Sequence, residues 1–233
     1  MGNSSADFSL VQLFVMGGVT MWPLTLFSII TVVIVLERLF YFFYHNLKLD
    51  DLKEKVENAF HGGNMEELSN FLESHTRRRM GARILLTLVK RRDLPENRLE
   101  KLVEAEALSC ISSLENGFSF LTALGAIAPL TGFLGTVTGM ISAFKSISEA
   151  VDVNAQIVAS GIYEALITTV FGLCIAIVAL AAHSIFTSVV DRFASEVEIA
   201  CSDLIITAAD SAGLAESGGI AESRGNEKPE YQK

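Results

Sequence analysis

Three side chains in the 233-residue sequence could handle protons where water is scarce: Glu164, Thr136 and Thr169. Glu164 is the only acid between Asp152 and Asp191, in a stretch otherwise made of apolar and small residues. A carboxyl group at membrane depth is costly and tends to face a bundle interior or a wet cavity. A threonine hydroxyl both donates and accepts a hydrogen bond, so Thr136 and Thr169 could solvate a carboxyl group in either protonation state while water relays the proton. Plainer alternatives exist for each. Glu164 could be an interfacial carboxylate near a helix start, and either threonine could bond back to its own helix carbonyls.

Other chemistry finds less support. His183 lies on the same helix face as the third-span residues, but with no second ligand at metal spacing it reads as a packing or interfacial residue. Cys110, Cys174 and Cys201 lie far apart with no CxxC pair, which supports neither a zinc site nor a disulfide framework. Paired carboxylates at mid-depth, a Gly-rich phosphate loop and Ser-His or Cys-His arrangements are all missing from the sequence, so neither an enzyme nor a cofactor or metal is expected. With 18 Lys+Arg against 27 Asp+Glu, a net charge of −9 argues against nucleic acid as a partner.

The elements that must position these residues are membrane spans. The chain is 50% hydrophobic and 19% charged, with mean hydropathy +0.41, too apolar for an ordinary soluble domain. Crossing the bilayer takes roughly 20 mostly apolar residues. Phe8 to Leu36, Gly117 to Phe144 and Ala165 to Val190 are each free of Asp, Glu, Lys and Arg. We therefore expect transmembrane helices at 21–44, 117–144 and 161–190, the first ending in Glu37-Arg38 and the aromatic run Phe40 to Tyr44. No Lys or Arg precedes the first apolar run, so a cleaved signal peptide is not expected. The opening Met1-Gly2-Asn3-Ser4-Ser5-Ala6 fails the myristoylation pattern at Ala6.

Basic residues set the orientation. Glu37 to Glu115 holds 13 of the 18 Lys+Arg, the chain from Asp191 holds 4 and the Lys145 loop holds 1. The expected layout has a periplasmic or interfacial segment at 1–20, a cytoplasmic helical region at 45–116, a periplasmic loop at 145–160, a cytoplasmic helix extension at 191–210 and a disordered tail at 211–233. The N-terminus is then periplasmic and the C-terminus cytoplasmic. Within 45–116, Asp50–Phe60 and Asn64–His75 read as amphipathic helices broken by Gly62-Gly63, a third runs from about Arg77 to Arg92, and Pro95 restarts a helix. Nothing after Arg98 stops that helix before the second span, so the second and third spans are both expected to extend into the cytoplasm.

Small residues form stripes along both of these spans. Gly125, Pro129, Gly132, Gly135, Thr136, Gly139 and Ala143 recur at three- and four-residue steps, as do Gly161, Ala165, Thr168, Gly172, Ala176, Ala179 and His183. Such stripes let helices approach closely, so Gly132, Gly135, Gly139, Gly161 and Gly172 are expected in helix packing and Pro129 at a bend. On a regular helix Glu164 and Thr169 lie about 140° apart, at the two edges of the third-span stripe.

The run Ala128-Pro129-Leu130-Thr131-Gly132-Phe133-Leu134-Gly135-Thr136-Val137-Thr138-Gly139-Met140-Ile141, followed by Gly161-Ile162-Tyr163-Glu164-Ala165-Leu166-Ile167-Thr168-Thr169-Val170-Phe171-Gly172-Leu173, closely resembles the MotA/TolQ/ExbB proton-channel family, within it the ExbB/TolQ branch. The resemblance covers about Phe8 to Asp210. MotA-type subunits have a fourth span, for which this chain has no room. The resemblance implies an all-α membrane protein that assembles as a homopentamer around the single transmembrane helices of two ExbD/TolR-like partner copies. It also implies a TonB/TolA-like energy transducer, membrane lipid as surroundings, and a bacterial inner membrane location. The proton motive force would then energise transport or envelope processes at the outer membrane, with Thr136 and Thr169 lining the pore and Glu164 as the pore-facing acid. The titrating carboxylate would come from the partner, since the chain has no mid-membrane Asp of its own. Thr138 stands where many members carry Trp, and Thr131 and Thr168 add hydroxyls, which leaves sodium coupling as an alternative alongside a structural scaffold without conduction.

Overall fold

A computed structural model of the chain describes residues 17–45, 47, 49–60, 64–149 and 155–225. The segment before residue 17, the Gly62-Gly63 break, the middle of the 145–160 loop and residues 226–233 lie outside the described residues. Among the described residues seven helices follow in chain order: α1 Met21–Tyr44, α2 Asp50–Phe60, α3 Met65–His75, α4 Met80–Lys90, α5 Glu96–Glu115, α6 Phe118–Glu149 and α7 Ala155–Gly225. No strand occurs among the described residues. The chain divides into two compact units, one of Met1–Phe40 with Asn116–Thr187 and the other of Tyr41–Glu115 with Ser188–Lys233.

The first unit holds the apolar helices. At 24 residues, α1 is about 36 Å long, enough for a hydrocarbon core of roughly 30 Å. Its inner edge, Met21 and Leu24 with Phe27 beside them, packs on Ala128 of α6 and on Ile167, Phe171 and Ile175 of α7. Trp22, Leu26, Ile29, Val33 and Leu36 face outward. Apolar stretches long enough to cross a membrane occur in Met21–Tyr44, Glu96–Glu149 and Ala159–Ala208, so the chain is a multi-pass membrane protein.

The helix expected to run unbroken from Arg98 into the second span is interrupted instead. α5 ends at Glu115, and Gly117 adopts φ +86, a left-handed conformation that glycine takes without steric cost and that commonly ends a helix. The Gly117 carbonyl then accepts from the Phe120 and Leu121 N–H groups at 3.1 and 3.3 Å, starting α6. Pro129 lies inside α6, where it removes the N–H that would have bonded the Gly125 carbonyl.

α6 and α7 meet through residues too small to hold them apart. A methyl group built on Gly132 would lie 2.8 Å from the Thr168 carbonyl oxygen, and one on Gly172 would lie 2.6 Å from the Ala128 carbonyl oxygen. Further along the pair, a methyl on Gly139 would meet the Ala165 backbone at 3.3 Å, and one on Gly161 would meet the Gly139 carbonyl oxygen at 3.3 Å.

In the second unit, α3 is capped by Asn64, whose side-chain oxygen accepts from the Glu66 and Glu67 N–H groups at 3.1 and 3.5 Å, satisfying donors that the first turn leaves open. α4 supplies the core: Ile84, Leu85 and Leu88 are fully buried, with Leu52, Leu72, Leu99 and Phe193 buried in the same unit. Lys53 of α2 pairs with Asp203 of α7 at 2.7 Å, and Arg83 of α4 pairs with Glu106 of α5. α7 remains helical to Gly225, beyond Asp210, where the sequence leads us to expect disorder. The reason is local: Ala209, Ala212, Ala215, Glu216, Ala221 and Glu222 favour helix, and no proline intervenes before Pro229.

Candidate ion pathway

Thr169 sits where α7 crosses the middle of α6. Its hydroxyl donates to the Gly132 carbonyl at 3.2 Å. The neighbouring Thr168 is fully buried and donates to the same carbonyl at 3.2 Å and to Ala165 O at 2.8 Å. Two hydroxyls thus converge on one α6 carbonyl, and they can do so because Gly132 lets the backbones come together. Thr136, half-buried one turn further along α6, donates to its own helix at Phe133 O, 2.7 Å away. Its hydroxyl oxygen keeps acceptor capacity.

Glu164 has a different neighbour. Its carboxylate lies directly against Gly18, in the turn that precedes α1. Gly18 has φ +65, and a side chain there would both strain the backbone and collide with Glu164 Oε1. The structure therefore holds Glu164 at the α1 side of α7 and Thr169 at the α6 side. No hydrogen bond joins Glu164, Thr136 and Thr169 to one another among the described residues. The remaining hydroxyls singled out in the sequence bond locally: Thr131 to Ile127 O at 3.0 Å, and Thr138 to Leu134 O and Gly135 O, each at 3.1 Å.

Reading along the spans missed the turn before α1. A methyl on Gly135 would come within 3.0 Å of Thr20 Oγ1 and would collide with Thr168 Oγ1, so residues 17–20 pack onto the α6–α7 seam. The signal was present as Gly17-Gly18 followed by Thr20, but a Gly-Gly pair in a loop does not say which side chain will approach it. Arg38 was also read only as half of an interfacial charge pair. Its side chain is buried, ion-paired with Glu37 at 3.2 Å, and the guanidinium lies against the Gly117 turn, with Nε 3.5 Å from where a methyl on Gly117 would sit.

Three apolar helices, two of them in close contact through glycines and carrying paired hydroxyls with one acid at the edge, define an all-helical membrane subunit. The MotA/TolQ/ExbB proton channel family matches residues 66–199, more than half of the chain, and the chain belongs to this family, on its ExbB/TolQ side. It is 33% identical to an ExbB-like biopolymer transport protein of Synechocystis over 82% of this chain and 78% of that one. An ExbB biopolymer transport protein of Vibrio cholerae is 29% identical over 82% of this chain and 84% of its own. The Tol-Pal system protein TolQ of Haemophilus influenzae is 40% identical over a shorter stretch, 40% of this chain and 42% of its own. Two of these relatives are named as biopolymer transport proteins and the third as a Tol-Pal system protein, and the family makes the chain a proton-channel-type energy-transduction subunit.

Proposed function

We propose that the chain is the multi-pass subunit of a proton-driven motor in a bacterial inner membrane. Five copies enclose two single-span ExbD/TolR-like helices, and the work is passed through a TonB/TolA-like transducer to an outer-membrane process. The large charged region and the C-terminus are cytoplasmic, and the N-terminus is periplasmic. The proton is carried by a carboxyl group of the partner helix, with Thr136 and Thr169 solvating it and Glu164 as the acid toward the outer side. One observation supports this reading above the rest: Thr168 and Thr169 both bond the Gly132 carbonyl, so the family-matching segments of α6 and α7 meet through a polar contact inside an otherwise apolar seam. Moving one charge through 100 mV is worth about 2.3 kcal/mol, sufficient for repeated mechanical steps.

The test is proton flux into vesicles holding the chain with its single-span partner. Flux that needs the partner's membrane acid supports the reading. Flux that follows a sodium gradient instead would assign the coupling ion to sodium. No flux from an assembled complex would leave a scaffold that only packs helices.

A further inference from the structure

Glu164 and His183 both lie in the part of α7 that belongs to the first unit. They are nineteen residues apart, roughly 28 Å along a helix, and the one other ionisable side chain between them in the sequence is the exposed Cys174. α6 offers no ionisable group from Phe118 to Phe144. A histidine in such a place is functional by default more often than one on a soluble surface, because an ionisable group inside a span is costly to keep.

His183 is also held in a way that suits proton exchange. It is half-buried, and its Nδ1 lies 3.2 Å from the Thr187 hydroxyl. A hydroxyl can accept from Nδ1–H or donate to a bare Nδ1, so the ring keeps this contact whether it is neutral or charged. The Phe118 ring meets it edge to face at 5.8 Å and 66°, and Phe118 in turn stacks on Phe186 at 6.1 Å. Nε2 has no hydrogen-bond partner among the described residues. The charged groups at this end of the unit are Glu37 and Arg38 of α1, already ion-paired with each other at 3.2 Å, with Arg38 against Gly117, next to Phe118. On α7 itself the next ionisable residue is Asp191.

We propose that His183 is a proton-transfer group of the pathway, nineteen residues along α7 from Glu164. A proton arriving by water adds to the Nε2 lone pair to give the imidazolium, and the same N–H bond breaks when the proton passes back to water. The neutral ring is then restored, with no other bond changed. This rests on the channel reading above. Because the step adds and removes a proton at the ring, it gives flux a dependence on pH.

The experiment uses vesicles holding the full chain with its single-span partner, with pH varied on one face at a time between 5.5 and 8. Wild-type flux should change severalfold with pH at one face, and His183→Gln, which keeps a hydrogen-bonding side chain of similar size but cannot titrate, should flatten that profile. A His183→Gln profile superimposable on wild type overturns the proposal. Thr187→Val supplies a second reading should His183→Gln fail to assemble: loss of the Nδ1 contact should move the profile's midpoint, and an unmoved midpoint overturns the proposal equally. Absence of partner-dependent flux in the wild type would be a different failure, since it removes the channel reading itself.

Discussion

Thr168 and Thr169 are adjacent in sequence and donate to the same carbonyl, yet removing each hydroxyl should have a different consequence. Thr168 is fully buried, so Thr168→Val loses hydrogen bonds inside the seam and should cost about 1 kcal/mol of stability. Thr169 lies at the edge of the seam, half-buried. Thr169→Val should lower partner-dependent proton flux about tenfold, equivalent to roughly 1.4 kcal/mol in the barrier, with assembly retained. Glu164→Ala should likewise lower flux, and normal energised function from both variants would sink the pore assignment. A thiol gives the clearest pH dependence at this scale. Burial pushes the Cys201 thiol up from 9.0 to about 11, and Cys110 is raised too, burial outweighing the opposing pull of Arg83. The unfolded chain therefore ionises first as pH rises. The stability that Cys201 contributes is complete below about pH 9 and lost between 9 and about 11. Melting temperature should fall across that window by more in wild type than in Cys201→Ala, and parallel curves would count against burial of this thiol as the cause. Of the candidate residues, the hydroxyls and the acid were legible because polar groups stand out in charge-free runs. Their partners were not: Gly18 beside Glu164 comes from a turn far away in sequence, and nothing in local spacing announces it.

The helix pair α6–α7 was legible as two stripes, because small residues at three- and four-residue steps fall on one face of any helix. What the stripes could not say is which glycines are indispensable. At Gly172 a methyl would press on the Ala128 carbonyl oxygen, 2.6 Å away, and backbone cannot rotate aside; at Gly125 it would meet the Leu180 side chain, Cδ2 at 2.6 Å and Cγ at 2.7 Å, and Leu180 is exposed enough to adopt another rotamer. Gly172→Ala should therefore destabilise the pair by about 1–3 kcal/mol, the usual range for overpacking. Gly125→Ala should be near neutral, since the gain in helix propensity of up to about 1 kcal/mol offsets the displaced leucine. Thermal denaturation of the two variants side by side checks the ordering, and equal losses would mean that the seam yields as easily at backbone as at side chain. The break at Asn116-Gly117 was missed for a related reason. An isolated glycine in a helical pattern is compatible with continuing the helix, and only the positive φ of Gly117, with Arg38 packed against it, decides that α5 stops there.

For the molecule as a whole, the three apolar helices and the charged helical region between the first two followed from charge-free runs and amphipathic spacing. Assembly is a different matter, because lipid offers no hydrophobic drive for helices to associate and packing detail must supply it. Within the chain, α6 spends its glycine edge on α7. That leaves a surface of Phe120, Leu130, Phe133, Leu134, Ile141 and Phe144, equally suited to lipid, to another copy or to a partner helix. Composition cannot choose among these, but mass can. Native mass spectrometry of the detergent-solubilised complex, expressed with its single-span partner, should give five copies retaining two partner chains. Gly172→Ala, which acts on the fold within each subunit, should weaken that assembly, whereas Thr169→Val should leave its mass unchanged while flux falls. A wild-type monomer or dimer without partner would favour a scaffold. Loss of the pentamer in Thr169→Val would move that residue from the pathway to the subunit interface.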